Sequence, residues 1–221
     1  MINWELKHDT SSEIRCILVL SDISVKRGWL GDMEFTYETK RNTLLLWVIT
    51  GLPLMGTLYF FFPSQSIDLE IFAYLLIFAI ITTAIPFQVG ETTIVLSQWV
   101  TLTAFLLYGI GAEMIIVQFS LIPIIYQMRN RPDVVTRVLF ISWMFVVSSF
   151  FAAGVVHLLG FEVGNSNLVH LLIYGSLFAL IHMFVNHLIL YLRDRLIGIK
   201  EKFFSEDSKW DYSSILITLP F

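Results

Sequence analysis

Apolar residues fall in long runs, and the polar residues that separate them are crowded into a few short stretches. No Lys or Arg occurs from Asn42 to Met128, and none from Val138 to Leu192. A spanning helix needs about 20 mostly apolar residues, because the hydrocarbon core is ~30 Å thick and a helix rises ~1.5 Å per residue. On that scale the first gap predicts helices over residues 43–62 and 71–87, followed by a continuous apolar stretch over 94–128. As one helix that stretch would be roughly 52 Å long, too much for one crossing. Gly109 and Gly111 lie near its middle, and paired glycines punctuate turns. The stretch therefore divides into helices over 94–109 and 112–128, both short for a span. The second gap predicts helices over 138–159 and 168–192. The fold class expected is all-α: a polytopic membrane bundle of six transmembrane helices (43–192) with the start of a truncated seventh.

The basic residues give a second reason for dividing 94–128. All fourteen Lys and Arg fall into three clusters, 7–41, 129–137 and 193–209. With six crossings the three clusters share one side, and the other receives Asp68, Glu70, Glu113, Glu162 and His170. That is a positive-inside pattern, with both termini in the cytoplasm and the chain in the inner membrane. A single crossing over 94–128 would put basic clusters on both faces.

Segment 1–42 is read as a cytoplasmic leader without the long apolar core of a signal peptide. Within it Ile14, Cys16, Leu18 and Leu20 alternate as in a short strand. A start at Met33 is an equal reading, since 33–41 lead straight into the first helix. At the other end, 193–209 form a basic linker. Trp210 and Tyr212 then precede an apolar run over 215–221, as at a helix entry. That run is too short to span and reads either as a membrane-touching tail or, as the Trp/Tyr entry favours, as the first third of a further helix.

Composition agrees with this picture. Of 221 residues 56% are hydrophobic and 14% charged, with a mean hydropathy of +0.74. Soluble domains carry about 25% charged residues. The net charge of −4 gives no reason to expect a nucleic-acid partner, and the single cysteine excludes an intrachain disulfide and a cysteine-rich zinc site. No cofactor and no metal site is expected. The partners expected are the lipid bilayer, with room for a small-molecule ligand and a homodimer.

No catalytic motif is present: no phosphate-binding glycine loop, HExxH, CxxC or GxSxG. The informative residues are polar ones inside apolar runs. Gly175, Ala179, His182 and Asn186 recur at helical spacing, small at one end and polar at the other. Ser142, Ser149, Ala153 and His157 form a similar stripe, as do Ser97, Thr101, Ala104, Tyr108 and Gly111. Small residues let helices approach, and buried polar side chains bond across them. Packing is the first reading of these stripes. The functional reading makes His182, Asn186 and His157 the lining of a ligand or sensing site. Residues 89–93 are too polar for lipid and suggest a short extended or re-entrant segment. Glu91 would sit at its cytoplasmic mouth, as a solvated group or a fourth candidate. Gln98, Glu113 and Gln118 read as helix ends facing water. Pro53 and Pro123 should kink their helices.

Phe87-x-Val-Gly-x-Thr-x-x-x-Leu-Ser97, then Val100-x-Leu-x-Ala104, then Tyr108-Gly109, resembles the start of the multi-helix membrane sensor modules found upstream of bacterial GGDEF, EAL and HD-GYP output domains. The resemblance extends over about 87–221, through Arg137-Val-Leu-Phe-Ile, Asn186, Trp210 and Leu219-Pro220. It implies a signal-input module followed by further helices and a cyclic di-GMP synthesising or degrading domain, which would lie beyond Phe221. The alternative is a transport component, such as the substrate-binding subunit of an energy-coupling-factor transporter. Such subunits have a similar length and helix number, but no clear AxxxA coupling motif accompanies Gly51 and Gly56 here. A membrane-embedded enzyme ranks last, since His182 and His157 lack a paired nucleophile or carboxylate nearby in sequence.

Overall fold

In a computed structural model the described residues are 37–61, 66–85, 87–89, 92–94, 97–130, 133–165 and 167–196. The expected N-terminal strand, the Met33 start, Glu91 and everything from residue 197 on lie outside them. Helix α1 (Tyr37–Leu46) runs through a π turn (Trp47–Gly51) into α2 (Leu52–Phe61). Helix α3 (Leu69–Ala84) follows, capped by Asp68, whose carboxylate accepts from the Glu70 and Ile71 amides. Strands β1 (Phe87–Val89) and β2 (Thr92–Ile94) pair antiparallel, with Gln88 opposite Thr93. The remaining helices are α4 (Ser97–Tyr108), α5 (Ile110–Gln127), α6 (Val134–Leu158) and α7 (Leu168–Leu196).

Each predicted segment holds a helix, but Phe87 and Ile94, expected at helix ends, lie in strands, and the helices differ in reach. Four stretches are long and apolar enough to cross a membrane: Lys40–Phe60, Ile110–Gln127, Val134–Leu158 and Leu168–Arg193. Helix α3 has 16 residues and α4 has 12. At ~1.5 Å per residue they extend roughly 24 and 18 Å, against a ~30 Å hydrocarbon core. Of the segment expected to be extended at 89–93, Val89, Thr92 and Thr93 lie in the paired strands, and 90–91 lie outside the described residues.

The division of 94–128 falls at Gly109, whose φ is 83°. A side chain there would clash with its own backbone, so glycine is the residue that permits the turn. The chain reverses at this point. Val100 and Ala104 of α4 share a buried cluster with Ile116 of α5 and Ala79 of α3. On a straight helix Val100 and Ile116 would be roughly 24 Å apart.

Many large apolar side chains point outward, among them Phe60, Leu69, Tyr74, Phe119, Phe151 and Leu158. The interior, in contrast, holds Thr82, Thr83, Glu113, Ser120, Ser142, Ser148, Ser149 and Asn186 beside its apolar core. This arrangement suits a surface that faces lipid, where close helix packing and hydrogen bonds replace the hydrophobic effect as the source of association. Helix α5 is the most enclosed, with ten of its 18 residues buried against twelve of 25 in α6. Ser142 Oγ donates to Gln118 Oε1 at 2.6 Å, and Ser149 Oγ to Glu113 Oε1 at 2.9 Å, so two polar links join α6 to α5. Gly175 lets α7 approach α4: a β-carbon there would lie 3.2 Å from Leu106 Cδ1.

The perturbation expected at Pro53 takes the form of the π turn just before it. The Leu52 amide donates to the Trp47 carbonyl, five residues back. Two indoles then brace this turn against α6. Trp47 Nε1 donates to Ser142 Oγ at 3.1 Å, and Trp143 Nε1 donates to Thr50 Oγ1 at 2.6 Å. Gly51 makes room for both rings, each lying 3.5–3.6 Å from where its β-carbon would be. Helix α5 runs through Pro123 as one element. At one end of the bundle Lys40 pairs with Asp133, which begins α6 in a left-handed conformation.

Candidate functional site

A cavity of about 30 Å³ lies between α4, α5 and α7. By the volume one water needs, it has room for roughly two waters. The reversal at Gly109 builds it: Gln98, Trp99, Thr101 and Leu102 come from α4, and Glu113 from α5. Helix α7 closes it with Phe178, Ala179, His182 and Met183.

Glu113 is 1% exposed. Ser149 satisfies its Oε1, while Oε2 has no hydrogen-bond partner. His182 Nε2 is likewise buried without a partner. The His182 ring is held between Phe145 and Phe178, with interplanar angles of 16° and 23°. Phe178 in turn stacks on Phe105 of α4, with centroids 4.0 Å apart. Thr101 Oγ1 donates to the Gln98 carbonyl at 2.9 Å, so its proton is spent and its lone pairs remain. Gln98 is exposed in the first turn of α4 and marks the mouth. Buried polar atoms are nearly always hydrogen-bonded, and two that are not, around one cavity, indicate a place for a guest.

Of the residues singled out in the sequence, His182 lines this cavity. Asn186, one turn further along α7, is buried at 2% exposure with its Oδ1 unpartnered, but does not line it. His157 is exposed near the end of α6, eight residues and roughly 12 Å beyond Ser149, so the polar stripe on α6 ends before it. Glu91 lies outside the described residues.

Glu113 is the correction. Read as a helix end facing water, it is fully enclosed. The reason is geometric: α4 folds back over the first turn of α5 and covers it. The signal was present in the sequence, since an acidic residue inside an apolar run is expensive in a membrane and is kept for a role. Gln118 was read the same way and is instead half-buried and tied to Ser142.

The cavity offers little for covalent chemistry. Thr101 carries its only hydroxyl, and that proton is committed to a backbone carbonyl. Among the described residues no three His, Cys, Asp or Glu come together to hold a metal ion. Compared with known proteins, the chain matches no family model, no curated protein and no solved structure.

Proposed function

We propose that this chain is a membrane signal-input module, in which occupancy of the Glu113–His182 cavity shifts the packing of α4 and α7 on α5. In this reading the six helices each cross the inner membrane and both termini are cytoplasmic. The basic linker passes the shift to an output domain of the cyclic di-GMP class beyond Phe221. The observation that carries it is the cavity itself: two unpartnered polar atoms contributed by different helices, at a seam where Gly175 already sets a close approach. A ligand shifts packing only if it binds two arrangements unequally, and atoms bridging two helices meet that requirement. The transport reading has less support. Pockets for vitamin-sized molecules run from about 300 Å³ upward, roughly ten times this cavity.

The test is a fusion of residues 1–221 to a diguanylate cyclase domain, with cyclic di-GMP measured in cells. Glu113→Gln and His182→Leu should change output several-fold at unchanged membrane levels. Equal output from all three proteins would remove the signalling reading.

A further inference from the structure

Most of the polar atoms around the cavity can accept, the donors being the Trp99 indole and Gln98 amide N–H groups, and that points to its guest. Glu113 Oε2, when ionised, is a bare acceptor. Thr101 Oγ1 has given its proton away and can only accept. His182 Nε2 accepts in the tautomer that carries its proton on Nδ1. Met183 adds a weakly accepting thioether, and Gln98 brings an amide oxygen at the mouth. No Lys or Arg lines the cavity. A carboxyl group enclosed at membrane depth must take up either a proton or a compensating cation, and the walls supply no cation.

We propose that the Glu113–Thr101–His182 cavity binds a small monovalent cation, sodium or ammonium, which enters past Gln98. Size supports this, since a space for roughly two waters excludes organic metabolites. The ligand set argues against a divalent metal, because two ionisable ligands fall short of the three or more such ions usually take. The inference deepens the reading above by naming the ligand class, and rests on the cavity being the site of that reading.

The test uses the full chain in lipid nanodiscs at fixed ionic strength. Choline chloride is exchanged for sodium, ammonium or potassium chloride while thermal unfolding and tryptophan emission are followed. Sodium or ammonium should raise the unfolding temperature by several degrees in a saturable way and change the emission, and Trp99→Phe should remove the emission change. Whichever of the two ions saturates at lower concentration is the guest. Glu113→Gln, which can still accept from Ser149, should abolish the dependence. Thr101→Val should weaken it at least tenfold, and that variant decides the matter where Glu113→Gln fails to fold. An identical response to all four salts, or a response to pH alone, overturns the proposal. Salt dependence with flat output in the cyclase fusion would remove the signalling reading and leave cation binding standing; the reverse result would do the opposite.

Discussion

Ser149 and Glu113 meet across the α5–α6 seam at 2.9 Å, and the bond satisfies one carboxyl oxygen of a residue that lines the cavity while the other has no partner. One side chain thus joins the packing of the bundle to its polar pocket. Ser149→Ala would leave both oxygens of a buried carboxyl bare. Interhelical hydrogen bonds in membranes average only about 0.6 kcal/mol, but stranding a buried polar group costs about 1–3 kcal/mol. The second effect should dominate. Unfolding in detergent should show Ser149→Ala destabilised by about 1–3 kcal/mol, and Ser142→Ala by at least as much, since it removes the partner of both Gln118 Oε1 and Trp47 Nε1. A smaller loss for Ser142→Ala would contradict this ranking.

The reciprocal indole bonds between the π turn and α6 should be energetically coupled. Trp47→Phe and Thr50→Val each remove one of them while keeping most of the packing. Each should cost on the order of 1 kcal/mol. Because both rings rest against Gly51, the double variant should lose less than the sum of the singles. Strict additivity in a double-mutant cycle would show two independent contacts.

Gly175 sets the distance between α7 and α4. Alanine should be tolerated within about 1 kcal/mol, because the atom it meets is the flexible tip of Leu106. Valine should cost about 1–3 kcal/mol through overpacking, and Leu106→Ala should recover part of that loss. Absence of recovery would mean that the strain falls elsewhere.

The six-crossing arrangement can be read by labelling. In a Cys16→Ser background, single cysteines at Asn42, Gln88, Asn130 and Asn165 are treated with a membrane-impermeant maleimide on intact cells. Asn165, between α6 and α7, should react from outside. Asn42, Gln88 and Asn130 should react only after permeabilisation. Labelling of Gln88 from outside would mean that α3 and α4 do not each cross.

Helix positions were legible in the sequence because long apolar runs and the distribution of Lys and Arg are properties of contiguous residues. The break at Gly109 was legible for the same reason. The enclosure of Glu113 was legible only as the cost of a carboxylate in an apolar run; its geometry depends on α4 folding back, and its surroundings come from Thr101, Ser149 and His182, residues up to 81 positions apart. The inward placement of His182 was legible because it shares a helical face with Gly175 and Ala179. His157 continues the corresponding stripe on α6 and is exposed, because periodicity does not say where along a helix the neighbouring chain ends. The π turn had no local signature beyond Pro53, and the indole bonds that brace it link positions more than 90 residues apart.

The π turn also fixes a phase. A wide turn holds one residue more than the α-helical ladder would, and each residue advances an α-helix by about 100°. Lys40 at one end of this long element and the buried Leu58 at the other are therefore correctly oriented only while the extra residue is retained. Deleting a single residue between Trp47 and Gly51 would make the ladder regular and yet rotate Lys40 away from Asp133 by more than a quarter of a turn. In this element, the more regular helix would be the one out of step with its neighbours.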